Sequence, residues 1–248
     1  MKNVINLSCH TTRCGECRHS ADCLMLDEHG SVKNSTQSNK VRVLHAGDQL
    51  YRAGETVDAV FRLRTGVVKT ALTDSDGNEQ VTGFYGPSEW VGLEALNAKI
   101  HRSDATVLDT ASVCVVPTGA LHDRITSSVG AAHALIDILG ENLAHKDLMH
   151  LSLARDNAVQ RMAAFLYGLS ARQAGVGFDT HNIALPMSRG EIASYLALAV
   201  ETVSRLLSRM QRDGILSVHR HHVEILDHGG LARRCKRSTT ARRGAQAM

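Results

Sequence analysis

The 248-residue sequence predicts an α+β fold, in which an antiparallel β domain is followed by a long helix and a C-terminal pair of short helices with a hairpin. Three observations predict this class. Between Val41 and Pro117, short β-branched runs alternate with glycines, which is typical of a small antiparallel barrel or sandwich. From Ala131 to Leu153 the apolar residues recur at helical spacing. Beyond Met187, two short helical patterns precede the hairpin.

The composition narrows the class of protein further. Apolar residues make up 43% of the chain and charged residues 21%, as in an ordinary soluble protein. No apolar run is long enough to cross a membrane, and the first residues lack the apolar core of a signal peptide. We therefore expect a cytoplasmic location. The formal net charge of +3 is too small to indicate a nucleic-acid partner by itself.

The predicted β domain contains short strands separated by turns. The clearest strand patterns are Val57–Leu63, Val67–Leu72 and Val107–Val116. The segment from Asp74 to Gly77 combines aspartate, serine and glycine, which favour a tight turn between two strands.

The long helix carries an apolar stripe that must be buried. The stripe begins with Leu135, Ile138, Leu139 and Leu143, which are spaced i, i+3, i+4 and i+8. It resumes after a polar break at Lys146 and Asp147. A second copy of the helix and the protein's own β domain are both suitable partners, and periodicity leaves the two open. For a dimer interface we expect Leu135, Ile138, Leu139, Leu143 and Met149.

The segment from Met187 to Leu216 predicts two helices joined by a turn. Ser188 followed by Glu191 fits a capping box at the start of the first helix. The turn is predicted at residues 197–199. In the second helix the predicted buried stripe is Val203, Leu206, Leu207 and Met210, and the opposite face carries Glu201, Ser204, Arg205 and Ser208.

The exposed face of that second helix has the chemistry needed to read base edges. Arg205 can donate two hydrogen bonds to guanine, Glu201 can accept one from cytosine, and Ser204 can do either. Arg209 and Arg212 suit phosphates. An ordinary solvated helix face carries the same residue types. The pattern alone therefore favours DNA binding over a solvated face only slightly.

Four of the six cysteines lie in the first 23 residues. Cys14, Cys17 and Cys23 have the spacing C-x2-C-x5-C, which suits a metal or an iron–sulfur cluster. Cys9, His10 and His19 lie close enough to supply a fourth ligand. Disulfides are not expected in a cytosolic chain. Thiolates bind both zinc and iron–sulfur clusters, so the spacing leaves the two open.

Residues Arg189–Ile192 together with Val200–Leu207 closely resemble the helix-turn-helix of the CRP/FNR superfamily of transcription regulators. The resemblance implies that the hairpin from Ile215 to Leu226 is a wing. It departs from many FNR-type regulators at Ala199, where they have a capping threonine. The residues that this resemblance assigns to base contacts are Glu201, Ser204 and Arg205. We expect Arg189, Thr202 and Arg209 to bind DNA beside them.

The resemblance to FNR-type members extends to the cysteines. In those proteins three N-terminal cysteines at this spacing and a fourth in a strand of the sensory barrel hold a [4Fe–4S] cluster. The segment Ala111–Pro117 resembles the strand with the fourth ligand. The implied ligands are Cys14, Cys17, Cys23 and Cys114, which leaves Cys9 and Cys235 without an assigned role.

The implied fold is a cyclic-nucleotide-binding-like β-roll, a long dimerisation helix and a winged helix-turn-helix. The corresponding boundaries are 1–28 for the cysteine-rich segment, 29–128 for the β-roll, 129–156 for the helix, 157–232 for the DNA-binding domain and 233–248 for a disordered basic tail. The implied function is that of an oxygen-responsive regulator, not an enzyme, that binds palindromic DNA as a homodimer while its cluster is intact. The implied RNA polymerase contact is Asp74, Asp76, Gly77, Asn78 and Glu79.

Other readings remain open at this point. Gly92–Glu94 and Arg102-Ser103 partly match the cassette with which superfamily members bind cyclic AMP. Zinc-stabilised and nitric-oxide-responsive members are further alternatives. An iron–sulfur or zinc enzyme is a rival from another class, but the sequence has no nucleophile–base pair, phosphate-binding glycine loop or HExxH motif to support it.

Overall fold

The computed structural model describes residues 23–25, 40–175 and 179–235. Contacts between residues divide the chain into two units, Met1–Lys146 and Asp147–Met248. The predicted α+β class is confirmed, because the first unit is built on an antiparallel sheet and the second on helices with a small sheet.

The sheet of the first unit has the strand order β1-β6-β3-β4, with β2 paired to β6 and β5 paired to β3. All pairings are antiparallel. The strands are β1 (Lys40–Leu44), β2 (Gln49–Tyr51), β3 (Ala59–Thr73), β4 (Glu79–Tyr85), β5 (Trp90–Val91) and β6 (Asp104–Pro117).

The two strands predicted on either side of Gly66 are a single strand, β3. Gly66 has a φ of 84°, and a Cβ at this position would lie 2.5 Å from the Cα of Ala111 on β6. Register shifts surround this point of the β3–β6 pairing. The glycine therefore bends the strand without ending it, because only a residue without a side chain permits the close approach of β6.

The two faces of the sheet bury different sets of side chains. The interior of the barrel is filled by buried apolar residues of β1, β2, β3, β5 and β6, and Tyr85 of β4 packs against them. The opposite face carries a second apolar cluster, here called the outer cluster. Its buried members are Leu24, Met25, Val60, Trp90, Leu93, Val116, Leu121 and Leu135.

The outer cluster joins the cysteine-rich segment to the barrel. Leu24 and Met25 are buried in it, and Cys23 packs against it while half-buried. Helix α1 (Thr118–Ser127) follows β6, and its Arg124 donates a 3.2 Å hydrogen bond to the carbonyl of Leu24. The end of the cysteine-rich segment is therefore held against the barrel wall.

The predicted apolar stripe lies on helix α2 (Val129–Arg155), where part of it packs on the barrel and part of it is exposed. Leu135 is buried in the outer cluster and Ile138 packs against it, so these two contact the protein's own barrel. Met149 is half-buried. Leu153 is half-buried too. The remaining large apolar side chains of the helix are exposed: Val129, Ile136, Leu139, Leu143, Leu148 and Leu151.

After the end of α2, the described residues of the second unit form four helices and a three-stranded sheet with the order β7-β9-β8. Its elements are α3 (Ala158–Gly175), β7 (Asn182–Ala184), α4 (Arg189–Leu196), α5 (Val200–Arg212), β8 (Leu216–His219), β9 (His222–Ile225) and α6 (His228–Cys235). The predicted hairpin is confirmed as β8 and β9. Strand β7, which was not predicted, pairs with β9 as a third strand.

Helix α6 corrects the predicted start of the disordered tail. It extends to Cys235, and both Leu231 and Cys235 are buried. The helix forms because these two residues lie four apart on one face and pack into the core of the second unit, where α6 contacts α3. The remaining tail residues, 236–248, lie outside the described part of the chain.

Candidate nucleic-acid interface and cysteine site

Helices α4 and α5 form the predicted helix-turn-helix. The capping box is present: the Glu191 amide donates to the Ser188 hydroxyl at 3.1 Å, and the Ser188 amide donates to the Glu191 carboxylate at 2.7 Å. Ala197 ends α4 in the left-handed conformation, with a φ of 51°. These local signals fix both ends of α4 and therefore where α5 can begin.

Helix α5 has one buried face and one polar, exposed face, as predicted. The buried side chains are Val203, Leu206, Leu207 and Met210. The exposed ones are Glu201, Ser204, Arg205, Ser208, Arg209 and Arg212, and Thr202 is half-buried. The apolar face packs against the rest of the second unit, so the hydrogen-bonding groups of the other face project to solvent.

A shallow groove of about 270 Å³ runs along the polar face of α5. It is lined by Arg189, Ser204, Leu207, Ser208, Gln211 and Val218. Arg189 is half-buried at the start of α4, and this burial lowers the pKa of its guanidinium. The groove spans the first helix, the second helix and the wing, and four of its six lining side chains can form hydrogen bonds. Sequence reasoning missed Gln211, although it lies between Arg209 and Arg212, which were both considered.

The first turn of α5 has no side-chain cap. Ala199 occupies the N-cap position with the expected extended backbone, and its methyl group cannot accept a hydrogen bond from the helix amides. Ala199, Val200 and Glu201 are all exposed. The amides at this helix end are therefore open to water or to an anion.

Arg161 on α3 joins the helix-turn-helix to the end of α2. Its guanidinium donates to the carbonyls of Leu196 and Ala197 at 3.1 and 3.3 Å, and to that of Leu153 at 2.9 Å. A fourth bond, 3.0 Å long, runs from its Nε to the carbonyl of Asp156. No sequence pattern indicates this role, because the acceptors are backbone carbonyls and two of them lie 35 and 36 residues away.

The wing ends in a turn of basic and titratable side chains. Arg220 adopts a left-handed backbone conformation between β8 and β9. The side chains of His219, Arg220, His221 and His222 are all exposed. The histidines therefore face solvent, as the sequence predicts for a wing.

Two of the four predicted cluster ligands lie within the described residues, and they share one face of the barrel. Cys114 is half-buried on β6, two residues before Val116. Since alternate residues of a strand share a face, Cys114 projects on the side of Val116 and the outer cluster. Cys23 packs against that same cluster. Cys14 and Cys17 lie outside the described residues.

The groups that resemble a cyclic-nucleotide cassette are occupied by contacts within the chain. The Tyr51 hydroxyl donates to the Glu94 carboxylate at 3.1 Å, and its ring stacks on His101 with 3.8 Å between ring centres. Burial, followed by the charge of Glu94, raises the pKa of Tyr51 far above its usual value, while a hydrogen bond with Ser103 acts in the opposite direction. Arg102 is exposed, whereas Ser103 is buried.

The predicted surface turn between β3 and β4 is ordered by one aspartate. The Asp74 carboxylate accepts bonds of 2.9 Å from the amides of Asp76 and Asn78, and further bonds from the Asn78 side chain. These bonds, led by that of the Asn78 side chain, lower the pKa of Asp74. Residues 72–80 are all exposed. The predicted polymerase contact thus lies on a preorganised, accessible turn.

No helix of the described residues is both long and apolar enough to pass through a membrane. Within the same ranges, no three histidine, cysteine, aspartate or glutamate residues come together as a metal site.

Comparison with known proteins places both units in one family. Residues 160–234 match the Crp-like helix-turn-helix domain, and residues 41–128 match the cyclic nucleotide-binding domain. The transcriptional activator protein FnrA of Stutzerimonas stutzeri is 37% identical over 220 residues, 88% of this chain and 90% of that protein. The fumarate and nitrate reduction regulatory protein of Escherichia coli K12 is 33% identical over 221 residues, 88% of each chain.

Solved structures agree with these relatives. FixK2 of Bradyrhizobium japonicum has a TM-score of 0.71 at 30% identity, over 78% of this chain and 96% of that one. These relatives are regulators, not enzymes. The chain therefore belongs to the CRP/FNR family of transcription regulators, as an FNR-type member that binds DNA through its helix-turn-helix.

Proposed function

We propose that this regulator responds to oxygen through a [4Fe–4S] cluster and binds a palindromic DNA site as a dimer while the cluster is intact. The observation that carries the proposal is the common location of Cys23 and Cys114. One belongs to the cysteine-rich segment and the other to β6, and both lie at the same face of the barrel.

The residues present fit such a cluster. Thiolates are its usual ligands, and Cys14 and Cys17 precede Cys23 at the spacing found in FNR-type proteins. Cys14, Cys17, Cys23 and Cys114 would hold it. When bound, the cluster supplies an oxygen-labile group, so that its loss is the signal. The packing of Leu24 and Met25 in the outer cluster, beside Leu135 of α2, supports a link from this site to the dimerisation helix.

The ligand set is tested by iron and sulfide analysis of protein purified and reconstituted without oxygen. We expect Cys23→Ser and Cys114→Ser each to lose most of the bound iron and the brown colour. Cys9→Ser is the matched control, since it removes a neighbouring cysteine without an assigned role. Protein that stays colourless after reconstitution, or a Cys114→Ser variant with unchanged iron, would contradict the proposal.

The exposed part of α2 supports a dimer. Ile136, Leu139 and Leu143 are 63%, 40% and 62% exposed, which is unusual for three large apolar side chains on one helix. Their spacing of three and four residues is that of a helix–helix seam. We expect the cluster-loaded protein to sediment as a dimer and Leu143→Glu to sediment as a monomer. Leu226→Glu, at an exposed leucine of the second unit, is the control.

The base-reading residues are tested on a palindromic duplex selected from a randomised library with the anaerobic protein. Arg205→Ala should weaken binding by about 1–3 kcal/mol per half-site and relax the preference at one base pair, because a bidentate contact is lost. Arg52→Ala, which removes an exposed arginine of the barrel, should leave affinity unchanged. Equal affinities of the two variants would show that Arg205 does not read a base.

The turn at Asp74 is proposed as a contact with RNA polymerase. Asp74→Ala should reduce activated transcription in vitro while leaving DNA affinity unchanged, because its carboxylate orders the turn and is not part of the second unit. Asp123→Ala, at an exposed aspartate of α1, is the control. A parallel loss of DNA binding would contradict this role.

Cyclic AMP is not favoured as the signal. Glu94 and Ser103, two of the groups in the cassette-like segment, are engaged with Tyr51, and Arg102 points to solvent. We expect cyclic AMP to produce no heat of binding in a calorimeter and no change in DNA affinity.

A further inference from the structure

Arg124, in the last turn of helix α1, contacts the end of the cysteine-rich segment. One of its contacts is a hydrogen bond of 3.2 Å, which its Nε donates to the carbonyl oxygen of Leu24. Leu24 directly follows Cys23, so this bond fixes the backbone beside a proposed cluster ligand.

Burial and this hydrogen bond have different effects on the segment. Leu24 and Met25 are 4% and 6% exposed, and both pack in the outer cluster with Leu121 of α1. Apolar burial holds the segment against the barrel but sets no direction, because the hydrophobic effect is non-directional. A hydrogen bond requires its donor and acceptor to be aligned. The bond from Arg124 therefore orients the backbone that carries Cys23.

Strand β6 and helix α1 place Arg124 in the same part of the barrel as Cys114. Cys114 lies on β6, and α1 begins directly after the end of that strand. The first residue of α1, Thr118, donates a 2.9 Å hydrogen bond from its amide to the carbonyl of Asp58, which precedes β3. The start of the helix is therefore held to the barrel, and its last turn connects Cys23 to the strand that carries Cys114.

We propose that Arg124 is a positioning residue for Cys23, which it holds at the face of the barrel where Cys114 projects, so that both thiolates can bind one iron–sulfur centre. This inference rests on the proposed function. A site whose ligands are already ordered binds its metal more tightly, because less conformational freedom is lost on binding. Replacement of residues that orient metal ligands typically lowers metal affinity by roughly 10- to 100-fold.

Two substitutions of equal length separate the hydrogen bond from the packing of the side chain. Arg124→Gln places an amide nitrogen the same number of bonds from Cα as the arginine Nε, so it keeps the donor. Arg124→Met has the same length and no donor. Arg52→Met, at an exposed arginine of the barrel, is the matched control.

Each full-length protein is measured with and without iron. Protein reconstituted with iron and sulfide is mixed with a ferrous chelator in the absence of oxygen, and the rate of iron transfer to the chelator is recorded. Metal-free protein is treated with iodoacetamide, and mass spectrometry gives separate alkylation rates for Cys23 and Cys114. The rate at Cys114, which lies within a strand, is the internal reference.

We expect Arg124→Met to release iron on the order of tenfold faster, as for the loss of a residue that orients a metal ligand. In the metal-free variant, alkylation of Cys23 should be several-fold faster relative to Cys114, because the backbone beside Cys23 is no longer held. Arg124→Gln and Arg52→Met should stay close to the unsubstituted protein in both measurements. General loosening of the barrel would accelerate both cysteines alike, so a selective effect at Cys23 is the result that a purely structural role would not give.

The inference would be overturned by iron release from Arg124→Met at the unsubstituted rate, by an Arg124→Gln variant that behaves like Arg124→Met, or by equal acceleration at the two cysteines. If Arg124→Met does not fold, judged by Trp90 fluorescence, Arg124→Leu replaces it under the same criteria. An unsubstituted protein that takes up no iron and sulfide would overturn the proposed function and this inference together, whereas the results named first overturn the inference alone.

Discussion

Replacement of Arg161 is expected to destabilise the DNA-binding unit without affecting the barrel. Its guanidinium donates four hydrogen bonds, and the four acceptors are backbone carbonyls at Leu153, Asp156, Leu196 and Ala197. Carbonyls at the ends of helices have no partner within the helix, so a side chain that reaches several of them ties those ends together. Arg161→Met removes all four bonds while keeping most of the apolar stem.

The size of the effect follows from these bonds. A typical hydrogen bond contributes about 1 kcal/mol net, and charged donors contribute more. Arg161 is half-buried and water can replace part of the loss, so we expect the free energy of unfolding to fall by about 3 kcal/mol. This corresponds to about a 150-fold change in the ratio of folded to unfolded protein. For a unit of roughly 100 residues, the melting temperature should fall by about 10–20 °C.

The assay uses the distribution of chromophores in the chain. Trp90 is the single tryptophan and is buried in the first unit, so its fluorescence reports the barrel, whereas far-UV circular dichroism also reports the helices of the second unit. Arg161→Met should shift the helical transition and leave the Trp90 transition in place. Arg155→Met, at an exposed arginine in the last turn of α2, is the control. Equal helical transitions in the two variants would refute the reasoning.

Three further predictions concern local features. Ala199→Ser should raise the stability of the second unit by about 1 kcal/mol in thermal melts, because serine caps the open amides of α5. Tyr51 has a raised pKa in the folded state, so its contribution to barrel stability is complete below about pH 10 and is lost as the pH rises further. Between about pH 10 and 11, Tyr51→Phe should therefore lose less stability than the unsubstituted protein. Gly66→Ala should lower the free energy of unfolding by more than about 3 kcal/mol, because backbone strain at a positive φ adds to a clash with Ala111. Urea denaturation followed by Trp90 fluorescence measures this change. Gly77 has a similar φ of 83°, but no atom lies near the added Cβ. Gly77→Ala should therefore lower the free energy of unfolding by the backbone strain alone, about 1–2 kcal/mol.

The helix-turn-helix could be predicted closely because its signals are local. The capping box of Ser188 and Glu191 is a contact between residues three apart, and it depends on nothing distant. The amphipathic stripe of α5 likewise follows from the helical repeat alone. The turn ordered by Asp74 is a third case, because every partner of its carboxylate lies within four residues.

The strands of the barrel were harder to predict. A glycine between two β-branched runs commonly marks a turn, and the sequence on either side of Gly66 looks like two separate strands. Whether such a glycine turns the chain or only bends it depends on the neighbouring strand. Here Ala111 approaches so closely that β3 continues past the bend.

The sequence by itself determined the fold class, the limits of the helix-turn-helix and the cysteine spacing. The hydrophobic repeat and local hydrogen bonding decide which residues share an element and which of them share a face. Only the tertiary structure decided what each face meets. Leu135 and Ile138 pack on the barrel while Ile136 and Leu143 remain exposed, although all four lie on one helix. The position of Arg62 opposite Cys114 depends on the pairing of strands about fifty residues apart, and strand register is a property of packing and bulges, not of either segment alone.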